Sequence, residues 1–239
     1  MRISRFFVEQ FISIGESVSL SGPKAHYISN VLRLKQGDEI VLFNGEGGEF
    51  TATINSIKKS QIHITPTAHT AIDHCSTLDI TLGLGITKRD AMDNAIQKAT
   101  ELGVTSIQPI ICDFTTVSHK SLSHKTEHWQ NICRSACEQS GLNIPPRVHE
   151  NCTMEQWVAE PKALHIIANP VSRLKFSTLT TTPESVCITV GPEGGFSEKE
   201  LTLIASSNVT EINMGNRILR ADTAAIAILT LCQQRWGDV

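Results

Sequence analysis

The chain has 239 residues, 40% of them hydrophobic and 19% charged, with a formal net charge of −3. That balance belongs to a soluble globular protein with material for a sizeable core, and it excludes a global polycation that would announce nucleic acid by charge alone. No apolar run has the length of a signal peptide or a membrane span. Seven cysteines, an odd number without paired short spacings, make no disulfide framework, so a cytoplasmic protein with reduced thiols is expected.

In chain order, the first part reads as strands and turns. Residues 1–72 carry seven Lys/Arg against six Asp/Glu, and residues 73–239 carry fourteen against eighteen, a weak sign of divided labour. "HYISNVLRLKQGDEI" places a short helix and then Gly37-Asp38 before a strand. "EIVLFNGEGGEFTATINSIKK" has β-rich runs around "NGEGGE", a hairpin signal, and "SQIHITPT" sets Ile62 and Ile64 on one face. Short strands with Gly-rich turns point to a small β-barrel. The polar, unpatterned "TAHTAIDHCST" marks a boundary near residues 70–75, giving units 1–72 and 73–239.

From Leu78 strands and helices alternate. "LDITLGLGI" is an apolar strand. Thr87 with Asp90 then reads as a capping box before a helix carrying Met92, Ala95, Ile96 and Ala99, closed at Gly103. "VTSIQPII" is the next strand. Trp129, Ile132, Cys133, Ala136 and Cys137 mark a helix ending at Gly141, with the two cysteines read as core thiols rather than metal ligands. Thr153 with Gln156 and Ser197 with Glu200 cap two further helices, and "ALHIIA", "SVCITV" and "VTEINM" are strands. The last helix, 223–236, is apolar nearly all round, as for a helix buried between layers or against a partner subunit. The pattern predicts an α/β sandwich with a mainly parallel sheet.

In such sheets ligands gather where strands end. Three strand-end loops have unusual composition: "IANPVSRLK", "GPEGGFS" and "MGNRILRADT". The second is neither a P-loop nor GxGxxG. Its backbone N–H groups suit an anion or an adenine edge, but Glu193 repels phosphate and favours a neutral or cationic ligand. The alternative is a tight turn into a capped helix. In the third loop Arg217 and Arg220 flank an apolar pair, and Asp222 is placed at the helix start, as N-cap or as a functional carboxylate.

Together "QKATELGV" (97–104), "ACEQSG" (136–141), "GPEGGFS" (191–197) and "GNRILRADTAAI" (215–226) resemble the RsmE family over nearly the whole chain. These are ribosomal RNA methyltransferases of the SPOUT class, acting on uridine N3 of 16S ribosomal RNA. The resemblance implies a PUA-like RNA-binding barrel, then a SPOUT domain with a C-terminal trefoil knot. It also implies S-adenosyl-L-methionine as cofactor, a homodimer with the site near the subunit interface, and 16S ribosomal RNA or the assembled small subunit as partner, with no membrane and no metal. The cofactor is assigned to Ile167 and Asn169, to Gly191, Glu193, Gly194 and Gly195, and to Met214, Gly215, Ile218 and Leu219. Catalysis is assigned to Arg220, stabilising charge on the uracil oxygens or holding the target phosphate, and to Asp222. Glu101 is a second candidate carboxylate. RNA phosphates are assigned to Arg2, Arg5, Arg33 and Lys35. The chain departs from the family pattern at Phe114 and Leu142, where arginines are usual, and at Ala221-Asp222-Thr223, where Thr-Glu-Thr is common. A non-catalytic RNA-binding protein on the same scaffold, a methyltransferase with a different RNA target, and a hydrolase built on the Cys and His content are the competing readings. The histidines show no ligand spacing such as HExxH.

Overall fold

The computed structural model describes residues 3–58, 61–115, 122 and 125–239. They form two compact units, one of Met1–Cys75 with Cys137–Ile144, the other of Ser76–Ala136 with Pro145–Val239. Among the described residues no helix is long and apolar enough to cross a membrane.

The first unit holds β1 (Arg5–Phe7), β2 (Val18–Ser21), β3 (Glu39–Phe43), β4 (Glu49–Lys58) and β5 (Gln61–Thr70) in one sheet of order β1-β3-β4-β5-β2. Period-two alternation buries Ile40, Leu42, Ala52, Ile54, Ile62 and Ile64 in a common core. The β3–β4 hairpin turns through Gly45, Gly47 and Gly48, all at positive φ. At Gly48 a Cβ would stand 2.4 Å from the His69 ring, so no other residue fits. The expected short helix is α1 (Gly22–His26), continued by a π-turn over Tyr27–Val31 and stopped by Arg33 at φ 56. β5 runs on through Thr70, so "TAHT" is strand rather than linker.

The second unit holds β6 (Asp79–Gly85), β7 (Ser106–Ile111), β8 (Arg147–Val148), β9 (Cys152–Thr153), β10 (His165–Ala168), β11 (Ser185–Val190) and β12 (Thr210–Ile212), in the order β12-β10-β11-β6-β7-β8 with β9 also on β7. Every pairing is parallel. On β6 and β11 one face is buried throughout, by Ile80, Leu82 and Leu84 and by Val186, Ile188 and Val190, and toward the C-terminal ends Gly83 and Thr189 are buried on the other face too. The helices are α2 (Arg89–Glu101), α3 (Lys125–Ser140), α4 (Met154–Ala159), α5 (Glu198–Ala205) and α6 (Ala221–Trp236). α2 packs on α6, α6 on β11, and α4 on α5 and β7.

Two helix starts differ from expectation. α2 begins after Lys88, whose backbone is extended, and the Thr87 hydroxyl donates to the Lys88 carbonyl, so Thr87 caps nothing. α6 is capped at Arg220, not Asp222. The Thr153/Gln156 and Ser197/Glu200 boxes both form with their reciprocal hydrogen bonds. Cys133 and Cys137 are fully buried, and burial pushes the Cys133 thiol up to about 11.

Candidate functional site

β12, β10 and β11 are neighbours and parallel, so their C-terminal ends lie side by side and deliver three loops to one place. The loops close a cavity of about 390 Å3, within the range of small-molecule sites.

The first loop leaves β10 at Asn169, which is 8% exposed. Its Nδ2 donates to the Glu211 carboxylate, and its Oδ1 accepts the Val171 N–H at 3.2 Å. The side chain is thus fixed as it lines the cavity. In the second loop the Gly195 N–H donates to the Pro192 carbonyl at 2.9 Å and Gly195 takes φ 71, which closes the turn. A Cβ on Gly191 would sit 3.0 Å from the Phe196 ring. Behind this turn the buried Glu200 carboxylate accepts the N–H groups of Asp113 at 3.0 Å and Ser197 at 2.8 Å, and the Ser197 hydroxyl donates to Asp113 at 2.6 Å. The wall therefore rests on a satisfied buried acceptor. The third loop is pinned by Asn213. Its Nδ2 donates to the carbonyls of Pro170 and Ser172, and its Oδ1 accepts the Gly215 N–H at 2.6 Å.

Of the assigned residues, Asn169, Gly191, Glu193, Gly195, Met214, Gly215, Ile218, Leu219 and Arg220 line the cavity. Ile167 and Gly194 do not. Ile167 is fully buried within β10, and Gly194 backs onto Phe114, whose Cβ is 3.0 Å from where a Gly194 Cβ would be. Asp222 lies outside the lining and accepts hydrogen bonds from Asn94 Nδ2 and from the Thr223 N–H. Glu101 is held by Lys98 and Gln97 on its own helix. Pro170, Val171, Pro192, Phe196, Leu201, Ala221 and Ala224 are among the other wall residues. Of these, Leu201 and Ala224 lie outside the three loops and join the site only through the topology. Arg220 is exposed at the N-cap of α6, where its carbonyl accepts the Ala224 N–H at 2.7 Å.

The lining is mostly apolar, with one carboxylate, Glu193, and two guanidinium groups, Arg217 and Arg220. Among the described residues it contains no Cys, His, Ser or Lys. Among the described lining residues none offers a thiol, imidazole or serine hydroxyl for nucleophilic catalysis. The arrangement suits alignment of two bound partners for direct group transfer.

The RNA candidates divide. Arg2 lies outside the described residues. Arg33 and Lys35 are exposed. Arg5 is only 10% exposed. It pairs with Glu49, donates to the carbonyls of Gly141 and Leu142 and to Asn143, and lies 5.1 Å from the Phe43 ring centroid. Its guanidinium is largely buried and occupied by these partners within the first unit. Leu142 is buried with Phe7, Phe43 and Cys137, whereas Phe114 is half exposed.

A family profile described as an RNA methyltransferase domain matches residues 74–233, and one described as an RNA methyltransferase PUA domain matches residues 20–67. The chain is 33% identical to "Ribosomal RNA small subunit methyltransferase E" of Buchnera aphidicola subsp. Schizaphis graminum, covering 100% of this chain and 98% of that protein. It is 33% identical to the protein of the same name from Rickettsia conorii, covering 96% and 94%. Among solved structures, a Legionella pneumophila methyltransferase in complex with bound SAM matches with a TM-score of 0.96 and 33% identity over 100% of both chains. A ribosomal RNA small subunit methyltransferase E from Neisseria gonorrhoeae, bound to S-adenosyl methionine, matches with a TM-score of 0.91 and 31% identity over 99% of both.

Proposed function

We propose that this chain, which belongs to the ribosomal RNA small subunit methyltransferase E family, transfers a methyl group from S-adenosyl-L-methionine to N3 of a uridine in 16S ribosomal RNA. The observation that carries the reading is the apolar cavity closed by three strand-end loops, with Arg220 at its rim. S-adenosyl-L-methionine supplies an electrophilic methyl group on a sulfonium.

The residues present fit that group. Gly191 and Gly195 let backbone approach closely, and Ile218 and Leu219 offer apolar wall. Glu193 is a carboxylate that favours a cationic ligand over phosphate. Its Oε1 accepts the Lys88 N–H, which ties the turn to the start of α2. Arg220 stabilises the negative charge that spreads onto the uracil carbonyl oxygens as N3 loses its proton. Asp222, held by Asn94, acts through its position near the start of α6 rather than by touching the donor. The N-terminal unit, assigned to residues 1–72, contacts RNA phosphate through Arg33 and Lys35, which position without reading sequence. The reading includes a threaded C-terminal segment, a homodimer, work on the small subunit in the cytoplasm and no metal. The nearly all-apolar α6 supports the dimer in part.

Calorimetry with S-adenosyl-L-methionine, paired with methylation assays on Arg220→Ala, tests the reading. Arg220→Ala keeps cofactor binding and loses methyl transfer. No cofactor binding by the unaltered protein would favour a non-catalytic RNA-binding protein.

A further inference from the structure

Next to the cavity, and sharing Met214, Gly215 and Arg217 with it, the second unit has a wider depression of about 840 Å3. Loop 172–177, loop 213–217 and the end of α6 form its walls. Arg173, Lys175, Arg217 and Arg235 line it, and among the described residues no carboxylate side chain does. All four are exposed. In a chain of net charge −3 this is a strong local excess of one sign. Among the described residues, none of Arg173, Lys175 and Arg217 is in an ion pair.

The frame under these cations is ordered. The Asn213 N–H donates to the Leu174 carbonyl at 2.7 Å, Lys175 pairs with Asn213 in a parallel bridge, and the Asn213 side chain holds Pro170 and Ser172. Arg235 donates to the Leu179 carbonyl, and its guanidinium carbon lies 6.0 and 5.8 Å from the ring centroids of Phe176 and Trp236. Four cations without acidic partners, on pinned loops, suit a polyanion with regularly spaced charges. A second copy of this chain suits the groove less well, because a two-fold contact would set the cationic face against itself.

We propose that this groove carries the phosphodiester backbone of the RNA next to the nucleotide presented at the cavity, so that the catalytic unit grips RNA itself. The inference rests on the proposed function for its choice of polyanion.

The test uses Arg173→Ala/Lys175→Ala, since neither residue lines the cofactor cavity. Affinity for purified 16S ribosomal RNA is measured over a salt series, beside S-adenosyl-L-methionine calorimetry and sedimentation. Two lost phosphate contacts flatten the slope of log K against log salt by about 1.4 for single-stranded RNA. KM for RNA rises at unchanged kcat, and cofactor affinity holds. Arg173→Lys/Lys175→Arg restores the slope. An unchanged slope in the alanine variant overturns the proposal, as does a change in its oligomeric state, which would make the groove a protein interface. If the unaltered protein fails to bind the cofactor, the functional reading falls, and the salt slope still decides the groove.

Discussion

Arg220 and Arg5 are both arginines beside apolar residues in sequence, yet they end in opposite roles. Arg220 is exposed at a helix start and lines the cavity. Arg5 is consumed by Glu49, Gly141, Leu142 and Asn143, partners 44 to 138 positions away. Only the fold brings those acceptors together, which is why spacing could not separate the two. Removing Arg220 should lower kcat by at least about 10² to 10³, the usual cost of losing one donor aimed at developing charge, which leaves no methyl transfer detectable in a short assay. His165 was not singled out in the sequence. Its Nε2 meets the Thr189 hydroxyl at 2.7 Å, the Trp157 indole N–H donates to the same oxygen, and burial, with a smaller push from Lys162, lowers its pKa to about 4. Above pH 6.5 it is neutral folded or unfolded and contributes nothing. As pH falls below 6.5 the unfolded chain takes a proton that the folded chain refuses. Stability then drops until about pH 4 and the loss is constant below that. His165→Gln should remove on the order of 3 kcal/mol of that acid loss, read from urea unfolding at pH 7 and pH 4.

Among the elements, the cavity depends on strand β6 as well as on its own loops. A Cβ on Gly85 would lie 2.6 Å from the Pro192 backbone nitrogen and 2.9 Å from the Gly191 carbonyl carbon. Backbone cannot yield as a flexible side chain does, so Gly85→Ala pushes the glycine turn off the strand. It should weaken S-adenosyl-L-methionine binding by roughly tenfold, about 1.4 kcal/mol, while circular dichroism stays unchanged. The capping boxes at Thr153 and Ser197 were legible because both partners lie within one turn. Thr87 carried the same signal and failed, because Lys88 is extended and the helix starts one residue later. The parallel strands were legible as apolar runs. That Gly85 backs the glycine turn, or that Ile167 is buried in β10 and outside the cavity lining, depends on strand order, which no local pattern encodes.

Across the whole molecule, the sequence reading placed one boundary near residues 70–75, but the segment Cys137–Ile144 returns to the first unit. There the Phe7 N–H donates to Glu138 at 2.9 Å, and the Asn143 side chain donates to the Ile72 carbonyl at 2.6 Å. Leu142, which departs from the family's usual arginine, is core in that unit, and Phe114 packs behind Gly194. Both departures thus have packing roles, and the basic groove around Arg173 and Lys175 offers the catalytic unit a separate grip on RNA. The most direct test of methyl transfer to one uridine N3 incubates small subunits from cells lacking the gene with the purified protein and S-adenosyl-L-methionine, then maps the RNA by mass spectrometry. A single uridine gaining one methyl group at N3, absent with Arg220→Ala, is the predicted result. Ribosomal RNA that gains no methyl group, or gains it at another atom, would contradict the account.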